Sequence, residues 1–263
     1  MRARSDSSKS DLWLFLPDIH WPETDRATLR AMFAFLEANR RRVGGVVLGG
    51  DQLDNQEVSR HTKGQPGLRN RAGYFRNTSS FDREILRPVE ALLPKRAERI
   101  WIVGNHCDWE NDLVAESPEL DGIQRPQQLR LMERGWLVVK CGDTFRHGKL
   151  EFLHGDQLSG QYHARKCVDT YCTSVLYGHF HSLQAYTRIL PNNRSQRWVA
   201  YCSPIMGALD PAYLKGKPTG WVNGFSIVEF RGRGNFNVFP VVVTEGEFSY
   251  SGRTYGGRGR KMR

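Results

Sequence analysis

The sequence predicts a layered α/β domain, and three observations carry that prediction. Short apolar runs alternate with a stretch of helical period through the first hundred or so residues. Five apolar runs end in a small cluster of Asp, Asn or His, the place where open sheets present ligand-binding loops. The chain, at 263 residues, is long enough for one large domain with a full core.

Taken in order, Leu12–Leu16 reads as a buried strand ended by Pro17. Thr24 is placed to cap a helix whose Leu29, Met32, Phe33 and Leu36 share one face, with Arg40, Arg41 and Arg42 suiting its C-terminal end. Val46–Leu48 is the second strand. Asn55 to Asn77 has weak periodicity and many cations and reads as a long loop or irregular lid. A helix from Ser80 to Leu93, ending at Pro94, precedes a third strand, Ile100–Val103. The second half is richer in strands: Trp136–Val139, Leu150–Leu153, Ser174–Tyr177, Arg197–Cys202, Phe225–Phe230 and Phe236–Val243, with a short helix over Gln161–Val168. The expected organisation is a polar, disordered leader over 1–10, one domain over 11–245 with a basic insertion at 55–78, and a basic Gly/Arg tail over 246–263, disordered from Ser249.

Composition narrows the function classes. No apolar run reaches membrane-spanning length and no signal-peptide core follows Met1, so the cytoplasm is the default compartment. Five cysteines with no CxxC pair argue against a disulfide framework or a structural zinc site, although Cys107 lies inside one of the polar clusters. A formal charge of +10 favours polyanionic partners such as nucleic acid or nucleotides. The excess concentrates between Arg60 and Arg83 and in the tail from Gly252 to Arg263. Arg60, His61, Lys63, Arg69, Arg71 and Arg76, with Tyr74 among them, suit a phosphate backbone and a stacked base, and Arg60, His61 and Lys63 are the candidate substrate contacts.

The clusters are Asp18-Ile19-His20, Gly50-Asp51-Gln52-Leu53-Asp54, Gly104-Asn105-His106, His154-Gly155-Asp156 and Gly178-His179-Phe180-His181. Residues two apart in an extended segment point the same way, so Asp18 and His20 can share a metal, as can His179 and His181. Asp51 has two oxygens with which to bridge two ions, and Asn105 and His154 complete the set. Mixed Asp, Asn and His donors suit Mn, Fe, Zn or Mg rather than a thiolate-loving ion. Each fragment alone is ordinary turn chemistry; the ordered series is not.

That series resembles the calcineurin-like metallophosphoesterase superfamily, whose pattern is DxH, GDxxD, GNH[DE], GH or HG, and GHxH. The likeness runs from Leu12 to His181, and small stand-alone phage and bacterial enzymes are the nearest in kind. It implies a single-domain, four-layer α/β/β/α sandwich with two divalent ions, Mn foremost and Fe, Zn, Ni or Mg as alternatives. By motif position Asp18, His20 and His181 would hold one ion and Asn105, His154 and His179 the other, with Asp51 bridging. A hydroxide between the ions would attack phosphorus, while His106, oriented by Asp54, aids the leaving group. Two positions depart from the pattern: Cys107 replaces the usual acid after the GNH histidine, and Asn55 replaces the Arg of the protein serine/threonine phosphatases.

The function these readings favour is a di-metal phosphodiesterase or nuclease acting on nucleic acid or nucleotides. A phosphomonoesterase for phosphoproteins or small phosphates is the alternative. A metal-free scaffold would have shed ligands, whereas all seven motif positions keep metal-binding side chains.

Overall fold

The structure, a computed structural model, describes residues 11–62 and 71–257. The leader at 1–10, Lys63 and Arg69 of the basic segment, and residues 258–263 of the tail lie outside the described residues.

The apolar run at the start of the chain is strand β1 (Asp11–Leu16), and its alternation explains the architecture. Leu12, Leu14 and Leu16 enter one core while Trp13 and Phe15 enter another. A strand buried on both faces reads as a continuous hydrophobic run. The same division recurs in β2 (Val43–Leu48) and β3 (Glu98–Ile102): Val46, Leu48 and Trp101 go one way, Val47, Ile100 and Ile102 the other.

These three strands run parallel and are joined by a parallel β4 (Leu137–Val139) on one side. On the other side lie the antiparallel β10 (Gly224–Arg231) and β11 (Asn235–Val242). The second sheet has the order β5 (Phe145–His147), β6 (Leu150–Leu153), β7 (Ser174–Tyr177), β9 (Asn193–Cys202) and β8 (Gln184–Leu190), with β6, β7 and β9 parallel. Leu150, Phe152 and Leu176 meet Trp13, Phe15 and Phe230 in the core between the sheets. Helix α5 (His163–Tyr171) covers the outer face of the second sheet through Ala164, Cys167 and Val168. Helices on the outer face of the first sheet complete an α/β/β/α sandwich.

Those helices depart from expectation in three places. Helix α1 (Arg26–Asn39) is capped by Asp25, whose carboxylate accepts from the Ala27 and Thr28 amides, a cap worth about 1 kcal/mol. Thr24 instead donates its hydroxyl to the Ile19 carbonyl. The segment read as a loop to Asn77 turns helical at α2 (Arg71–Phe81), which continues through a π turn at Asp82–Leu86 into α3 (Arg87–Leu92). Pro88 has no amide to donate and its ring crowds the preceding turn, which the wider π turn accommodates.

Within the tail read as disordered from Ser249, the described residues form a hairpin, β12 (Glu247–Tyr250) with β13 (Arg253–Gly256). Its Phe248, Tyr250 and Tyr255 pack on Phe35 of α1. Burying an aromatic of this size contributes about 1.5–3 kcal/mol, enough to outweigh the tail's glycines and charges. Among the described residues no helix is long and apolar enough to cross a membrane.

Candidate metal centre

The carboxyl ends of β1, β2 and β3 in one sheet and of β6 and β7 in the other meet along one edge of the sandwich, and each delivers a motif residue there. Asp18 and His20 follow β1, Asp51 and Asp54 follow β2, and Asn105 opens α4 (Asn105–Glu116) directly after β3. His154 follows β6, and His179 and His181 follow β7. The backbone bends sharply to aim them: Asp18, His20, Asp51, His179 and His181 all have φ between 48° and 68°. A non-glycine residue held there costs on the order of 1 kcal/mol or more, a cost typical of functional loops. Two motif glycines make room for close approach. A Cβ on Gly104 would sit 2.2 Å from Asp51 Oδ1, and one on Gly178 would sit 2.4 Å from Asp18 Oδ2.

Around Asp51 the contacts are hydrogen bonds. Oδ1 accepts the His106 amide at 2.9 Å, at the positive end of α4, and Oδ2 lies 3.2 Å from His154 Nε2. His154 Nδ1 donates to the Gly49 carbonyl at 3.0 Å, so Nε2, 3.0 Å from Asn105 Oδ1, is the nitrogen that would meet a cation once its own proton has left. Asp51, His154 and His179 bring one ligand atom each within 4.8 Å of one another.

Around Asp18 the arrangement is more open. Oδ2 accepts the His179 amide at 2.8 Å, but the buried Oδ1 has no hydrogen-bond partner, and neither does His181 Nδ1. Asp18 Oδ1 lies 3.4 Å from His181 Nε2, which is itself 3.3 Å from His20 Nε2. His20 Nδ1 is 3.2 Å from Asp54 Oδ1, so its Nε2 faces inward. A fully buried carboxylate oxygen and two imidazole nitrogens converging on one another fit a cation, since an unpaired buried charge is costly.

Protonation follows from the same geometry. Burial alone would push both carboxyls up. The imidazoles, His181 first for Asp18 and His154 first for Asp51, hold them below the usual carboxylate range. Burial lowers His179 and His181, which keeps them neutral and able to ligate. His106 is opposed by burial, yet Asp51 and then Asp54 push it up to about 9. Its Nδ1 lies 2.9 Å from the Asp54 carbonyl and 3.3 Å from Asp54 Oδ1.

The nine predicted catalytic and metal positions therefore converge. The three candidate substrate contacts do not all follow. His61 meets Trp109 edge-on at 5.6 Å, and Trp109 stacks on His106 at 4.2 Å, so His61 borders the centre. Arg60 lies in the 3-10 turn Arg60–Thr62, and Lys63 is outside the described residues. Tyr74 is not available to stack a base: it is buried, its hydroxyl donates to the Ile123 carbonyl, and the Arg125 guanidinium covers its ring.

Sequence reading missed the support beneath His106. Asn55 donates to the His106 carbonyl at 2.9 Å and to Glu110 Oε1 at 3.0 Å, and Arg125 donates to Asn55 Oδ1 at 2.6 Å. Glu110 and Arg125 are each 1% exposed and form a buried ion pair. No spacing joins 55, 110 and 125, so only the fold reveals them. Cys107 proves structural: its thiol donates to Gln52 Oε1, and burial pushes it far above the range of a reactive thiol.

No family model and no curated protein matches the chain. Solved structures of similar fold include vacuolar protein sorting 29 from Cryptosporidium parvum, at 12% identity and TM-score 0.47, covering 94% of this chain and 99% of that one. Another is the nuclease MPE of Pseudomonas putida, at 17% identity and TM-score 0.37, covering 86% and 87%. A third is a conserved Streptococcus pneumoniae protein described as a predicted phosphoesterase, at 12% identity and TM-score 0.36, covering 93% and 95%. These are distant likenesses of fold, and the chemistry of the site is read from its own side chains. In motif order and in its two-sheet sandwich the chain is similar to the calcineurin-like metallophosphoesterases.

Proposed function

We propose that this chain is a di-metal phosphoesterase that cleaves phosphodiesters of nucleic acid or nucleotides in the cytoplasm. The observation that carries the reading is the convergence of seven Asp, Asn and His side chains, two of them carboxylates, of which Asp18 leaves a buried oxygen without a partner. Asp18, His20 and His181 would hold one ion, Asn105, His154 and His179 the other, and Asp51 would serve both. Such ions, when bound, supply an activated water and neutralise charge on the phosphate.

The chain's own groups do the rest. The Gly49 carbonyl fixes the His154 tautomer, and Asp54 turns His20 so that its Nε2 faces inward. His106, whose charged form Asp51 and Asp54 favour in the ion-free protein, would present Nε2 as a proton donor for a departing oxygen. Trp109 packs flat on that imidazole and limits its access to water. The net charge of +10 supports a polyanionic substrate, and five free cysteines support a reducing compartment.

The test is hydrolysis, with added Mn²⁺, of bis(p-nitrophenyl) phosphate, p-nitrophenyl phosphate and single- and double-stranded oligonucleotides. Diester and oligonucleotide cleavage is the expected result. Turnover of the monoester alone would replace the nuclease reading with a phosphomonoesterase. Absence of bound or activating metal would remove the enzyme reading altogether.

A further inference from the structure

The loop between Gly207 and Asn223 is tied at both feet to segments that carry the candidate metal ligands. At one foot, Ala208 donates its amide to the Glu23 carbonyl, and Gly207 pairs with Thr24, just beyond His20. At the other, Val222 donates its amide to the carbonyl of His181 itself at 2.9 Å, and Asn223 Nδ2 closes the base by donating to the Gly207 carbonyl at 2.7 Å. Pro211 and Pro218 restrict the chain between these feet. The loop is thus indexed to the centre rather than hung from a distant part of the fold.

Its aromatic residues face that centre. The Trp221 ring lies 4.4 Å from the His181 imidazole, edge to face. Tyr213 is 52% exposed, on the rim of a narrow crevice that it lines with Trp221, Pro211, His20, Glu23 and Asp54, so its ring is open to a base from the solvent side. Lys215 and Lys217, both exposed, follow in the same loop. A flat aromatic on the rim, a second beside it and two cations within four residues suit a nucleobase attached to a phosphate chain.

We propose that residues 208–222 form a base-stacking flap in which Tyr213 and Trp221 hold a nucleobase next to the scissile phosphate of a single-stranded nucleic acid. This rests on the phosphoesterase reading and names its substrate class. The flap selects strands whose bases are unpaired, because a base in a duplex has no free face to offer two aromatic rings.

The test is fluorescence anisotropy of the full-length protein in EDTA, where the strand is not cut, with labelled dT10 and an abasic strand of equal length. Wild type binds dT10 about tenfold more tightly than the abasic strand, the scale of one base–aromatic stack. Trp221→Ala abolishes that ratio, Trp221→Phe retains it, and Tyr213→Ala, a rim change that leaves the core untouched, reduces it. Equal binding of both strands by wild type, or an unchanged ratio in Trp221→Ala and Tyr213→Ala, overturns the flap. Mn²⁺-dependent hydrolysis of methyl p-nitrophenyl phosphate by wild type, a diester with no base, reports on the phosphoesterase reading separately.

Discussion

The two halves of the centre are finished differently. Around Asp51 the fold has supplied partners for both carboxylate oxygens and for both nitrogens of His154: the His106 amide, the His154 imidazole, the Gly49 carbonyl and Asn105. Around Asp18 one carboxylate oxygen is bound by the His179 amide, while Oδ1 and His181 Nδ1 have no hydrogen-bond partner. Both carboxylates are buried, so exposure to water does not explain the contrast. The Asp51 half is assembled by protein hydrogen bonds alone. The Asp18 half retains an anionic oxygen that a cation would satisfy, so its integrity depends more on metal.

The strongest way to break that contrast is Asp51→Asn. If Asp51 serves both ions, the change removes a charge from each half and lowers diester hydrolysis by about 10³-fold or more, the equivalent of several kcal/mol of charge stabilisation. Metal content measured on the purified variant should fall with it. Wild-type turnover in Asp51→Asn would detach Asp51 from both halves.

His106→Asn is the next largest effect and has a different signature. Asparagine cannot carry a proton to a leaving oxygen, so cleavage of an oligonucleotide or alkyl diester drops by about 10²-fold. A p-nitrophenyl ester, whose leaving group departs without help, loses far less. Equal losses on both substrates would reassign His106 to metal or substrate binding.

How much of this was legible beforehand depended on the distance over which each residue acts. The strands of the first sheet were readable because each is a local apolar run, and the candidate ligands were readable because each sits directly at such a run's end. Asn55, Glu110 and Arg125 were not, because they meet across three segments and share no motif. The hairpin at Glu247–Gly256 was hidden by its glycines and arginines, although Phe248, Tyr250 and Tyr255 carried its packing signal. Tyr74 misled in the opposite direction. An aromatic among cations suggests a stacking surface, and nothing local announces that Arg125, 51 residues on, will cover it.

The third effect reads the open half directly. Adding Mn²⁺ to about a hundredfold above its dissociation constant stabilises the folded chain by about 2.7 kcal/mol, and raises its melting temperature by about 5–10 °C for a domain of this size. In Asp18→Asn most of that rise disappears, because the unpartnered oxygen is gone. In Asn105→Ala, which leaves the Asp18 group whole, more of it survives. Identical shifts in the two variants, followed by differential scanning fluorimetry with and without EDTA, would erase the distinction between the halves.

The smallest effect tests the hydrogen-bonded half. Burial opposes the charge on His154, but Asp51 outweighs it and pushes the imidazole up to about 10 in the ion-free protein. A ligating nitrogen must be bare, so an ion entering this half displaces a proton. Apparent affinity therefore rises with pH, by about tenfold per unit between pH 6 and 8 if that one proton is released. The stability of the ion-free chain runs the other way. A histidine raised above its unfolded value contributes stability that is full below about pH 6.5 and is lost as pH climbs toward 10. Mn²⁺ titrations at three pH values, set beside denaturation of the EDTA-treated protein, should give slopes of opposite sign. A flat affinity profile would mean that His154 is already neutral, and that the carboxylate beside it does not hold the half together in the way its contacts suggest.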